Sequence, residues 1–119
     1  MKLLIVDDAL YMRMTYRKIF ENTDAEIVGE AENGFEAIAQ YQEKKPDYVI
    51  LDLTMPGISG QDVLKEILEI DPEAKVVIVS AMGQDIFIRT CLQLGAKSFI
   101  IKPFKEKAIL ALLGLSKKG

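Results

Sequence analysis

The 119-residue chain contains no histidine and a single cysteine. Without an imidazole there is no His-based triad, no His general base and no His-containing zinc site. One cysteine closes no internal disulfide and builds no multi-cysteine metal site. Long apolar runs are missing too, since none approaches the roughly 18 residues that span a bilayer. Met1-Lys2-Leu3-Leu4-Ile5-Val6 opens like a signal peptide, but Asp7 and Asp8 stop its apolar run far short of one. The expected location is cytoplasmic, with no membrane partner. An excess of positive charge is absent as well. Fifteen basic and 18 acidic side chains leave a formal charge of −3, which argues against nucleic acid as a direct partner. Neither G-x-x-x-x-G-K-[ST] nor G-x-G-x-x-G occurs, so an ATP-using kinase and a dinucleotide oxidoreductase are both disfavoured.

What is present is the composition of a folded domain: 50% apolar and 28% charged residues. The length fits one domain over residues 1–119. Five short apolar runs, Lys2–Val6, Glu26–Glu30, Asp47–Leu51, Lys75–Val79 and Ser98–Ile101, alternate with helix-period segments. Leu3–Val6, Tyr48–Leu51 and Val76–Val79 are apolar at every position, as strands are when helices cover both faces of their sheet. The helical stripes are Met12/Tyr16/Ile19/Phe20, Ala37/Ile38/Tyr41, Val63/Leu64/Ile67, Ile88/Cys91/Leu92 and Ile109/Leu110/Leu112/Leu113. Gly95 reads as a helix stop, and Cys91 as a small core residue. This alternation predicts a doubly wound α/β fold built of five βα units on a parallel sheet with right-handed crossovers. Ser116-Lys117-Lys118-Gly119 reads as a frayed terminus whose lysines complement a helix dipole.

Four of the five runs end in polar residues: Asp7-Asp8, Asp52, Ser80 and Lys102. A parallel sheet puts all of them on its carboxyl edge, where open α/β sheets carry their sites. Each has a plain structural reading when taken singly: a helix or loop cap for the aspartates, a turn hydroxyl for Ser80, a solvated amine for Lys102. Taken together they are harder to dismiss. Converging carboxylates repel one another unless a cation sits among them, and hard oxygen ligands suit Mg²⁺. A lysine opposite such a metal suits a phosphoryl group. The pattern predicts Mg²⁺-assisted phosphoryl transfer, with Asp52 as nucleophile at a central strand end and Asp7 and Asp8 as the metal pocket. The Pro/Gly-shaped loop Leu53–Gly60 follows Asp52.

Five ordered segments then carry a resemblance. They are Leu4-Ile5-Val6-Asp7-Asp8-Ala9 with Met12-Arg13, Asn33-Gly34-x-Glu36-Ala37, the stretch from Pro46-Asp47 through Leu51-Asp52-Leu53-x-Met55-Pro56-Gly57 to Gly60, Ser80-Ala81-Met82-Gly83-Gln84, and Gly95-Ala96-Lys97-x-Phe99-Ile100-x-Lys102-Pro103-Phe104. Over nearly its whole length the chain resembles the receiver domain of two-component response regulators, and most of all the stand-alone chemotaxis type. The resemblance implies a flavodoxin-like five-stranded parallel sheet of order 2-1-3-4-5. It implies that Asp52 takes a phosphoryl group from a histidine kinase or a small phosphodonor. It makes Asp8, Asp52 and the main-chain carbonyl of Thr54 direct ligands of Mg²⁺ (or Mn²⁺), with Asp7 acting through a metal-bound water. Lys102 would pair with the phosphoryl oxygens, and its bond to Pro103 would be cis. Ser80 would donate its hydroxyl to the modified Asp52 and let the aromatic Phe99 turn inward. Phe99 stands where the family often has tyrosine, so it offers no hydroxyl to an output contact. Thr54 and Met82 would flank the path of the hydrolysing water, and Ile86 and Phe87 are candidates for a partner patch.

The implied function is a signalling switch that catalyses only its own phosphorylation and dephosphorylation. It would be monomeric when unphosphorylated and would act on a flagellar motor switch protein or another output protein. The alternatives are a phosphorelay intermediate and an isolated receiver of a DNA-binding transcriptional regulator. An aspartyl-nucleophile phosphatase would need a second aspartate at position 54, where Thr54 stands, and a flavin carrier would need a phosphate-cradling loop where Asp7 and Asp8 stand. With no effector segment after the last helical stripe, output is expected through the domain's own surface. With no histidine, the phosphoryl group must come from elsewhere.

Overall fold

A computed structural model describes residues 1–55 and 57–118. Pro56 of the Pro/Gly loop and the final Gly119 lie outside the described residues. Ten elements alternate along the chain: β1 (Lys2–Val6), α1 (Leu10–Phe20), β2 (Glu26–Ala31), α2 (Gly34–Lys44), β3 (Tyr48–Asp52), α3 (Gly60–Ile70), β4 (Val76–Ala81), α4 (Asp85–Leu94), β5 (Ser98–Lys102) and α5 (Glu106–Leu112). The strands form one sheet of order β2-β1-β3-β4-β5, parallel at every pairing. This is the expected doubly wound flavodoxin-like fold. No helix among the described residues is long and apolar enough to cross a membrane.

Strand alternation divides the core in two. Leu3, Ile5, Ile50, Val77 and Val79 point to one face, where α1 and α5 bring Tyr16, Ile19, Phe20, Ile109 and Leu110, joined by Leu113 just past α5. Leu4, Val6, Val49, Leu51, Val76 and Ile78 point to the other, against Ala37, Tyr41, Val63, Leu64, Ile67, Ile88 and Cys91 of α2, α3 and α4. The chain leaves β1 in one direction to build β2, then crosses back over β1 to build β3, β4 and β5. With crossovers of one hand, that single reversal puts α1 on the face opposite α2, α3 and α4. The crevice at the carboxyl ends of β1 and β3 is the resulting switch point.

Three details differ from the sequence expectation. The strands run further than their apolar runs: Asp52 and Lys102 are the last residues of β3 and β5, and Ser80 lies within β4. Ladder bonding carries them on, with Asp52 opposite Val79 and Ser80 opposite Ile101. Leu92, placed on the α4 core stripe, is exposed, and Ile88 and Cys91 alone make that contact. The C-terminal tail is pinned rather than frayed. The Lys117 amine donates to the carbonyls of Lys18 and Glu21 at 2.9 and 2.8 Å and pairs with Glu106 at 3.1 Å. Lys117 therefore complements the dipole of α1, not that of the helix preceding it.

Gly60 opens α3 directly under the end of β3. A Cβ there would stand 2.6 Å from Leu53 Cα and 2.8 Å from the Asp52 carbonyl oxygen, both backbone atoms that cannot rotate away. Gly60→Ala is expected to lower unfolding free energy by about 1–3 kcal/mol, as overpacking does. A denaturant midpoint equal to that of the parent protein would contradict this.

Candidate functional site

Asp7 follows Leu3 and Ile5 on the α1/α5 side of the sheet, Asp52 follows Ile50, and Lys102 follows Ile100. The same two-residue period that buries those aliphatics delivers the three charged groups to one spot beyond the strand ends. The Lys102 amine lies 3.2 Å from Asp7 Oδ2 and 3.4 Å from Asp52 Oδ2. Asp7 is fully buried and Asp52 only 5% exposed, whereas Asp8 is exposed at the mouth. One carboxylate oxygen from each of Asp7, Asp8 and Asp52 lies within 4.8 Å of the others.

Loop hydrogen bonds orient the carboxylates. Asp7 Oδ1 accepts from the Ala9 N–H at 2.9 Å and Asp52 Oδ1 from the Thr54 N–H at 3.0 Å. Neither Asp7 nor Asp8 caps α1, whose N-cap is Ala9, and α3 is capped by Ser59 rather than by Asp52. Burial pushes the Asp52 carboxyl above the ordinary carboxylate range, and the charge of Asp7 adds to that. The Thr54 N–H and Lys102 act in the opposite direction without cancelling it. Two buried carboxylates and a third at the mouth share one amine, so the cluster is short of positive charge. An all-oxygen donor set of this kind fits a hard divalent cation.

Ser80 reaches the same edge from the other face of the sheet. It is fully buried and its Oγ has no hydrogen-bond partner among the described residues. Phe99, also on that face, is 39% exposed and so points outward. The Lys102-Pro103 bond is cis. Met82, Ile86 and Phe87 are exposed around the start of α4, and burial pushes the Cys91 thiol up. A groove of about 790 Å³ between α1 and the segment running from Lys102 into α5 meets the charged group at Lys102.

Three contributors carried no role in the sequence reading. Arg13 Nη1 donates to the Asp7 carbonyl at 2.9 Å while its Nε lies 3.3 Å from Glu30, tying the β1–α1 loop to β2. Gln84 accepts from the Ala81 N–H at 2.7 Å and donates to Thr54 Oγ1 at 3.2 Å, bridging the loops after β4 and β3. Tyr16 is buried in the core on the sheet face whose strands lead to Asp7 and Asp52. Arg13 and Gln84 stood inside recognised motifs, and Tyr16 was the one hydroxyl in an otherwise apolar stripe.

The response regulator receiver domain family matches residues 3–114. The chain belongs to that family. As a receiver it is 49% identical to the chemotaxis protein CheY of Listeria monocytogenes over 113 residues, 95% of either chain. It is 46% identical to CheY of Thermotoga maritima over 112 residues, 94% of this chain and 93% of that one. Among solved structures, CheY in a CheX–CheY–BeF₃–Mg²⁺ complex from Borrelia burgdorferi superposes with a TM-score of 0.89 at 35% identity, over 94% of this chain and 85% of that one. The receiver is thus a CheY-like response regulator of two-component signalling.

The crowding of negative charge sets a stability prediction for the metal-free protein. Because the folded-state carboxyl of Asp52 titrates above its unfolded value, the unfolded chain ionises first as pH rises, and stability is lost through that window. Asp52→Asn is therefore expected to raise unfolding free energy by about 1–2 kcal/mol at neutral pH. The gain should vanish below about pH 4, where the unfolded carboxyl is protonated as well. Denaturant unfolding in chelator at several pH values measures both, and a variant less stable than its parent at pH 7 would contradict the reading.

Proposed function

We propose that this receiver accepts a phosphoryl group on Asp52, from the phosphohistidine of a partner kinase or from a small acyl phosphate. The observation that carries the proposal is the grouping of a nearly buried Asp52 carboxylate with a lysine 3.4 Å away and an unpartnered, fully buried Ser80 hydroxyl at the same sheet edge. One Asp52 carboxylate oxygen attacks phosphorus, the P–N or P–O bond to the donor breaks, and an acyl phosphate results. Asp7, Asp8, Asp52 and the main-chain carbonyl of Thr54 would hold Mg²⁺ or Mn²⁺, with Asp7 acting through a bound water. Such a cation, when bound, neutralises charge on the transferring phosphoryl oxygens.

Lys102 exchanges its carboxylate contacts for a phosphoryl oxygen. Ser80 donates to another, which gives its orphan hydroxyl a partner worth about 1.5–3 kcal/mol for a charged acceptor. Moving the serine vacates space beside β5, and Phe99 turns from its exposed position into it. The switch is a shift in population between two packings of the face formed by β4, α4 and β5. Thr54 and Met82 flank the hydrolysing water's path and tune the lifetime of the modified state. Met82 shields the phosphate, so slower hydrolysis in Met82→Ala would contradict that role.

We further propose that the 119 residues act as one receiver domain, located in the cytoplasm and monomeric when unphosphorylated. Its modified surface binds an output protein, in the first instance a flagellar motor switch protein. The match to CheY chains over nearly their full length supports this above a phosphorelay or DNA-binding role.

Acetyl phosphate with Mg²⁺ should add one phosphoryl group by intact mass, and Asp52→Asn or chelator should abolish it. An undiminished gain in Asp52→Asn would refute the acceptor assignment. Beryllofluoride with Mg²⁺ should raise affinity for the motor switch protein about tenfold, and Ile86→Ser with Phe87→Ser should remove that increase. Equal affinity with and without beryllofluoride would refute the output assignment.

A further inference from the structure

Tyr16 holds a second unpartnered polar atom next to this site. Its side chain is 1% exposed and its hydroxyl oxygen has no hydrogen-bond partner among the described residues. The ring is fixed by stacking on Phe20 and on Phe104, with centroids 6.3 and 6.1 Å apart. Phe104 lies two residues beyond Lys102, so this stack joins α1 to the loop carrying the site's lysine. Tyr16 also packs on the sheet face from which Leu3, Ile5 and Ile50 lead up to Asp7 and Asp52.

A phenylalanine would make the same stacks without stranding a buried hydroxyl, which costs about 1–3 kcal/mol when unmet. The polar groups to which that sheet face leads are the two carboxylates, each with one backbone N–H and a share of one amine, so both keep acceptor capacity free. A phenol keeps its proton at neutral pH and can serve a carboxylate only as a donor.

We infer that Tyr16 is a positioning residue of the acidic pocket, its hydroxyl donating, directly or through one ordered water, to the Asp7–Asp52 pair and so setting how tightly the pocket holds a divalent cation. The inference rests on the proposed cation pocket. A donor behind the carboxylates orients them towards the mouth, where Asp8 stands, and supplies partial positive charge without competing with Lys102. Partners behind metal ligands of this kind typically change affinity by about 10–100-fold.

The test uses the whole chain and Mn²⁺ as the probe. Free Mn²⁺ is read by electron paramagnetic resonance, with no phosphoryl donor present. Tyr16→Phe should fold with an unfolding midpoint equal to or above that of the parent and bind Mn²⁺ about tenfold more weakly. Tyr41→Phe, whose hydroxyl donates to the distant Asp71, should bind as the parent does. In protein labelled with 3-fluorotyrosine, the fluorine resonance that disappears in Tyr16→Phe should shift when Mg²⁺ is added. Equal Mn²⁺ affinity in parent and Tyr16→Phe, or a Tyr16 resonance indifferent to Mg²⁺, would overturn the role of Tyr16 while leaving the pocket standing. A parent chain that takes no Mn²⁺ would overturn the pocket itself and this inference with it.

Discussion

Negative charge forced into a space from which water is largely excluded is the constraint around which this molecule is arranged. One oxygen from each of three carboxylates lies within 4.8 Å of the others, two of the three residues are buried, and the Lys102 amine pairs with those two. Lys102 is 95 residues from Asp7 and 50 from Asp52 in sequence, so the neutralising contact forms only when the whole sheet has been assembled. A group so short of positive charge is poised to gain from any ligand that brings some. In the proposed reaction a divalent cation supplies that charge, and the incoming phosphoryl group, itself negative, is accommodated by the cation together with Lys102.

The fold supplies the crowding through two regularities. The reversal of winding at β1 opens a crevice between β1 and β3, and the period of two along each strand decides which side chains enter it. Asp7, Asp52 and Lys102 share the parity of the α1/α5 core, whereas Ser80 and Phe99 share that of the α2–α4 core. The site is thereby approached from both faces of the sheet. Charge neutralisation belongs to one face and the proposed switch to the other, and the acceptor carboxylate is where they meet. In the proposed switch, a change at Asp52 reaches the exposed Phe99 through Ser80, on the same face, without any large movement of the scaffold.

Much of this was readable from residues alone because the relevant rules are short-range. Fully apolar β-branched runs announced buried parallel strands, and their polar ends announced the sheet edge. Gly95 ended α4 at a positive φ of 122°, as a glycine after an apolar stripe should. The unread parts depend on partners far away in sequence. Nothing in Lys117 says that it will reach the C-terminal carbonyls of α1. Leu92 obeys the helical period yet lies exposed, because a periodic stripe says which face is apolar and not how far the neighbouring elements cover it. Gln84 and Arg13 act through loops whose approach to one another no local pattern encodes.

The amino-acid order by itself determined the alternation of elements, the gathering of polar residues at strand ends and, through the absence of histidine, that no phosphohistidine forms within these 119 residues. Those follow from periodicity and composition, which are properties of neighbours in the chain. The tertiary structure decided which charges share an amine, that both Ser80 and Tyr16 keep buried hydroxyls without partners among the described residues, and that Phe99 is exposed. Those are matters of burial and of distances of a few ångströms between residues far apart in sequence, and such distances exist only once the sheet has closed around them.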